Sequence, residues 1–266
     1  MGSGSEVDGS KLAALSNIIV VTINYRLGIY GFLSIKDTGA KGNQALLDQN
    51  LAMKWVYDNA ASFGGDNTKI TIGGESAGSW SVGYHLIFKK SWPYFKNSIL
   101  QSGNPTTVDL ETMLLKSDQA TKLTSKMASN LGCSNKMNQD LLSCLKYKDT
   151  DKINQIASKL YEYPSFTLDS NVFDQLPRNL FNSGNFKKCN ILTGSNTNEE
   201  GMLLDGEIYE YVADLFKKGI KNSFINALKK RLLINDTIAN QISNAYVPSS
   251  LTGTINYVKY FEQIII

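Results

Sequence analysis

Gly74-Glu75-Ser76-Ala77-Gly78 places a serine between two glycines, directly after the β-branched run Ile70-Thr71-Ile72 and ahead of a helical pattern carrying Trp80, Val82 and Leu86. A G-x-S-x-G in that setting predicts a sharp strand-to-helix turn with the serine Oγ exposed at the strand's C-terminal end. Side chains two residues to either side would collide in such a bend, which is the expected reason for Gly74 and Gly78. The serine would sit at a helix N-terminus, where backbone N–H groups favour developing negative charge. The Ala77 N–H is expected to be one oxyanion donor. The chemistry is nucleophilic attack by a hydroxyl, and it needs a base to take the proton.

The sequence contains a single histidine, His85, which falls on the helix that Ser76 starts. At 1.5 Å and 100° per residue, an imidazole nine positions along would lie roughly 13 Å away and on nearly the opposite face. A general base must come within ~3 Å of Oγ. His85 is therefore expected to be structural.

The elements that would position the serine follow from periodicity. IIVVTIN (18–24) is a continuous β-branched run, expected to be a strand buried on both faces. Residues 43–59 predict an amphipathic helix with Leu46, Leu47, Leu51, Met53, Trp55 and Val56 as its apolar residues. Phe63-Gly64-Gly65-Asp66 is turn chemistry, and strands are expected at 70–72, 98–101 and 190–193. From about 108 to 160, and again from about 207, the pattern is helical, with Val247-Pro248-Ser249-Ser250 as a breaker. Strands alternating with helices predict an α/β class with a mostly parallel sheet, organised as one domain over 1–266.

With 266 residues, a net charge of +3 and 42% hydrophobic content, the chain is in the ordinary globular range. Its basic residues are scattered, so nothing in the charge pattern asks for nucleic acid. No apolar run approaches the roughly 20 residues of a membrane span, and Met1-Gly2-Ser3-Gly4-Ser5 lacks the features of a signal peptide. Of the three cysteines, Cys133 and Cys144 flank a short polar loop that a disulfide could close, the alternative being two unrelated thiols. An odd count leaves at least one thiol free. Asn235-Asp236-Thr237 is a glycosylation sequon, compatible with a secreted protein.

The stretch FGGDNTKITIGGESAG (63–78) resembles the type-B carboxylesterase/cholinesterase serine signature, as do VVTINYRLGIYGFLS (20–34), GNQALLDQNLAMKWVYDNAASFGGD (42–66) and SILQSG (98–103). LTGSNTNEEG (192–201) is similar to that family's segment for the acidic triad member. The likeness is dense to about 105, patchy to 207 and faint beyond.

The resemblance implies an α/β-hydrolase fold with helices on both faces of the sheet, a Ser-Glu-His triad, a small-molecule carboxylic ester as substrate, and neither metal nor organic cofactor. Ser76 takes the nucleophile's place and Ala77 that of an oxyanion donor. Counting forward from Gly194 puts the acid at Glu199, whereas counting back from Gly201 selects Glu200. The resemblance also implies pairing of Cys133 with Cys144, hence an oxidising, secreted or extracellular setting, which leaves Cys189 as the expected buried free thiol.

Two parts of the family pattern are expected to be missing. One is a His-Gly-Gly-Gly-type stretch that supplies further oxyanion donors. The other is a triad histidine downstream of the acid. The expectation is an incomplete domain, truncated at both ends, with exposed sheet edges and no meaningful turnover by itself. The alternatives are a non-catalytic binding or adhesion module of this fold, or a decayed gene product.

Overall fold

The computed structural model describes residues 4, 6–106, 114–157, 166–168, 171–172, 174–196, 225, 229 and 234–246. Among these, helices α1 (Ser10–Ser16), α2 (Gly28–Phe32) and α3 (Gln44–Asn59) precede strand β1 (Thr71–Glu75) and helix α4 (Ala77–Ile87). Strand β2 (Asn97–Gln101) follows a 3₁₀ turn at Lys89–Tyr94. Next come β3 (Leu115–Lys116), α5 (Ser117–Asn130), α6 (Asn138–Lys146), α7 (Thr150–Ala157), β4 (Thr167–Leu168), α8 (Pro177–Asn182) and β5 (Asn190–Gly194). Helix α9 (Asp236–Tyr246) closes the described chain. The main sheet runs β1-β2-β5, and β3 pairs in parallel with β4. A mostly parallel sheet flanked by helices is the α/β class expected from the alternating pattern.

The chain divides into two compact units. The first comprises residues 1–100 and 104–192, the second residues 101–103 and 193–266. In the first, α3 lays Ala45, Leu46, Gln49 and Met53 inward. Leu46 packs with Tyr84, Ile87 and Phe88, while Met53 packs with Leu86 and Phe95. The expected amphipathic stripe is therefore only partly right. Leu47, Leu51 and Trp55, spaced four apart, form a second apolar stripe that is exposed.

A separate helical core gathers Ile29, Ile35, Met127, Leu131, Leu141, Leu145 and Ile153 around the Cys133–Cys144 disulfide. The bridge spans eleven positions with its Cα atoms 6.0 Å apart, closing the loop that joins α5 to α6. In the second unit, the Ser102 N–H donates to the Gly194 carbonyl at 2.8 Å. Lys229 pairs with Asp236 at 2.6 Å, at the start of α9.

Two expectations fail. Residues 18–24 do not form a strand, and Ile18, Ile19, Val21 and Ile23 are exposed. A β-branched run becomes a strand only when another strand completes its hydrogen-bond ladder. No described strand lies alongside this one, so the sequence signal goes unanswered. Cys189 is only half-buried, its Sγ 3.8 Å from Ser98 Oγ, because it precedes a strand whose own residues are all exposed.

Candidate active site

β1 delivers the chain to Ser76, and α4 begins at the next residue. The bend is tight enough to hold Ser76 at φ 52°, ψ −117°, in the half of conformational space that L-residues avoid. A strained, non-glycine residue is a recurring feature of functional turns, at an intrinsic cost of about 1–3 kcal/mol. The side chain is exposed at the end of the strand. Trp80 donates its N–H to the Ser76 carbonyl at 3.0 Å, which closes the first helical turn on the serine itself.

The two flanking glycines have different reasons. A Cβ on Gly74 would lie 2.3 Å from the carbonyl carbon and oxygen of Gly78 and 2.8 Å from the Ser79 nitrogen. That is a backbone collision no rotamer can relieve, so only glycine fits. A Cβ on Gly78 meets nothing within 4 Å among the described residues. The collision expected at Gly78 is therefore absent. The close approach is one-sided, with the β1 backbone riding over the first turn of α4.

Upstream, Asp66 fixes the turn that feeds β1. Its carboxylate accepts from the Thr68 N–H (2.9 Å) and hydroxyl (2.6 Å) and pairs with Lys69 at 3.1 Å. These donors hold its pKa down to about 2. Gly64, at φ 77°, lets the chain reverse just before it.

His85 lies on α4 at 3% exposure, with both ring nitrogens engaged: Nδ1 is 2.8 Å from Ser91 Oγ and Nε2 is 2.9 Å from Gln49 Oε1. Burial pushes its pKa down to about 3. Phe88 flanks the ring, its centroid 6.3 Å away. The only imidazole of the sequence is thus neutral and held inside the packing between α3, α4 and the 3₁₀ turn. The structural role expected of His85 from helix geometry agrees with this burial, whereas its partners Gln49 and Ser91, and Asn50 and Ser81 which continue its hydrogen bonds, are not marked by any local motif. The available signal was polar residues set in apolar helix faces.

Glu199 and Glu200 lie outside the described residues; β5 ends at Gly194. Asn235 is exposed and sits at the start of α9, where its Oδ1 accepts from the Ile238 N–H at 3.0 Å. That is the geometry of a helix N-cap. Among the described residues no helix is long and apolar enough to cross a membrane.

The profile of the Carboxylesterase family matches residues 1–264, well past the point where the motif blocks fade. The chain belongs to the carboxylesterase family. The acetylcholinesterase of Electrophorus electricus is 40% identical over 206 residues, covering 74% of this chain and 32% of that protein. The acetylcholinesterase of Danio rerio is 36% identical over 205 residues, 74% of this chain and 32% of that one. The cholinesterase of Mus musculus is 36% identical over 202 residues, 72% of this chain and 33% of that one. The matched part spans about a third of the length of these curated relatives. For this carboxylesterase-family chain the α/β-hydrolase fold follows from membership.

Proposed function

We propose that Ser76 is the nucleophile of a carboxylic ester hydrolase of the Ser-Glu-His type, acting on a small-molecule ester without metal or organic cofactor. The observation that carries this reading is the strained, exposed Ser76 at the head of α4, over which Gly74 is packed too closely for any side chain. In the proposed step, Oγ adds to the ester carbonyl and its proton passes to an imidazole. The Ala77 N–H, at the helix N-terminus, donates to the oxyanion that forms. Glu199, or Glu200 by the alternative count, is proposed to orient that imidazole.

His85 is not that imidazole, since its two nitrogens are spent on Gln49 and Ser91. With one histidine in the sequence, these 266 residues are proposed to lack turnover by themselves. A serine hydroxyl with no base keeps only the residual rate that binding and oxyanion donors supply. The same observation favours a second reading, a non-catalytic binding module of this fold. We further propose that residues 1–266 belong to one partial hydrolase domain. A secreted setting is supported by the Cys133–Cys144 bridge, with Asn235 as a glycan acceptor there.

Hydrolysis of a chromogenic acetate ester, with and without Ser76→Ala, tests the assignment. The purified chain is expected to show no Ser76-dependent rate. A Ser76-dependent rate within tenfold of a complete family member would overturn the inactivity. A longer form of the protein that carries a downstream histidine is expected to be active and to lose activity with Ser76→Ala. If such a form is inert, the binding-module reading takes its place.

A further inference from the structure

The buried hydrogen bonds around His85 run in one direction and end at the elbow. Ser81 has a single O–H, and it points to the Ala77 carbonyl at 3.1 Å. What Ser81 meets on Gln49, at 3.2 Å, must therefore be the amide NH₂. That leaves Gln49 Oε1 facing His85 Nε2 at 2.9 Å, so Nε2 carries the ring proton. Nδ1 is then an acceptor, and the Ser91 hydroxyl donates to it across 2.8 Å. Ser91 Oγ in turn accepts from Asn50 Nδ2 at 2.9 Å. Each donor along the path meets one acceptor.

We propose that His85 is a positioning residue, the central link of a relay from Asn50 through Ser91, His85, Gln49 and Ser81 to the Ala77 carbonyl that fixes the first turn of the elbow helix. This rests on the reading of Ser76 and Ala77 as reacting groups. The relay ties the peptide unit next to the nucleophile to α3 and to the 3₁₀ turn, two elements that flank α4. Polar links suit this task better than apolar contact because each hydrogen bond fixes a direction as well as a distance. Ser76 is strained, and strain persists only where the surroundings over-determine the conformation. The relay supplies that constraint from the interior side. An imidazolium would reverse the Ser91 link, with Nδ1 donating to the Ser91 oxygen and the Ser91 hydroxyl turned away.

The experiment uses the full chain labelled with ¹⁵N-histidine, where one imidazole gives one set of signals. The expected spectrum is the Nε2–H tautomer, unprotonated from pH 8 to pH 5. A ring that titrates near pH 6.5, or an Nδ1–H tautomer, overturns the relay without any variant being made. Amide exchange then reads its effect on the elbow. Ser81→Ala is expected to speed exchange of the Trp80 amide about tenfold, leaving the Tyr84 and Phe88 amides within about twofold of wild type. Ser81→Thr, which keeps the hydroxyl, should restore protection at Trp80. Faster exchange along the whole of α4, or no change at Trp80, would reduce His85 to ordinary packing and overturn the proposal. These readouts do not depend on turnover, so a failed hydrolase reading and a failed relay are distinguishable.

Discussion

The elbow helix and the apolar run at 18–23 make opposite use of similar residues. In α4, Val82, Leu86 and Ile87 are all but inaccessible, and even Ser79, Ser81 and His85 are buried. In the run, Ile18, Ile19, Val21 and Ile23 stand 38–50% exposed. What separates the two is the supply of neighbours. α4 is enclosed by α3, β1, the 3₁₀ turn and α8, and its polar groups find partners there. Among the described residues the run has no adjoining strand to complete its ladder, and Ile18, Ile19, Val21 and Ile23 are left largely uncovered. Hydrophobic pattern creates a demand for burial, and only a second surface can meet it.

The sharpest way to break this comparison is at Gly74. Gly74→Ala forces a Cβ onto the Gly78 backbone and is expected to cost about 4 kcal/mol, in the range reserved for severe core or backbone lesions. Gly78→Ala is the control: with open space at its Cβ and a helical position, it should be neutral or stabilising by up to ~1 kcal/mol. Urea melts of the two variants check both, and equal destabilisation would contradict the one-sided packing.

Leu86→Ala, at 2% exposure, should cost about 3 kcal/mol. Reducing Cys133–Cys144 should cost a similar ~3 kcal/mol for a loop of this size, centred on the helical core around α5 and α6. Hydrogen exchange on the reduced protein locates that loss. Comparable loosening of α4 would mean the two cores are not separate.

Acidification probes the buried side of the comparison. His85 is held neutral in the folded state with its pKa lowered to about 3, whereas an unfolded chain protonates it near ~6.5. Between those values unfolding takes up a proton. The contribution is complete above about pH 6.5 and declines by up to ~1.4 kcal/mol per pH unit as pH falls toward 3. Denaturant melts at pH 7 and pH 5 should differ by about 2 kcal/mol from this group, and His85→Gln should remove that part of the slope. The smallest effect belongs to the exposed run. Ile19→Thr and Val21→Thr should each change stability by less than ~0.5 kcal/mol, and loss of several kcal/mol would show that the run is buried in solution.

Much of the site was legible in advance because it is local. A G-x-S-x-G between a β-branched segment and a helical one can bend in few ways, and Ser76 stands where the spacing put it. That His85 could not reach Ser76 followed from helix geometry. The motif blocks alone point to the family to which the chain belongs. Partnership was another matter. The sequence favours a strand at 18–24, yet hydrogen-bond ladders are made between segments distant in the chain. It predicts one apolar stripe on α3, but which stripe is covered depends on what packs there. The relay through Gln49, Ser81, Ser91 and Asn50 joins positions up to 41 residues apart, and no local pattern encodes that meeting. Local sterics are written into neighbouring residues, whereas burial and polar satisfaction are properties of surfaces that exist only once the chain has folded.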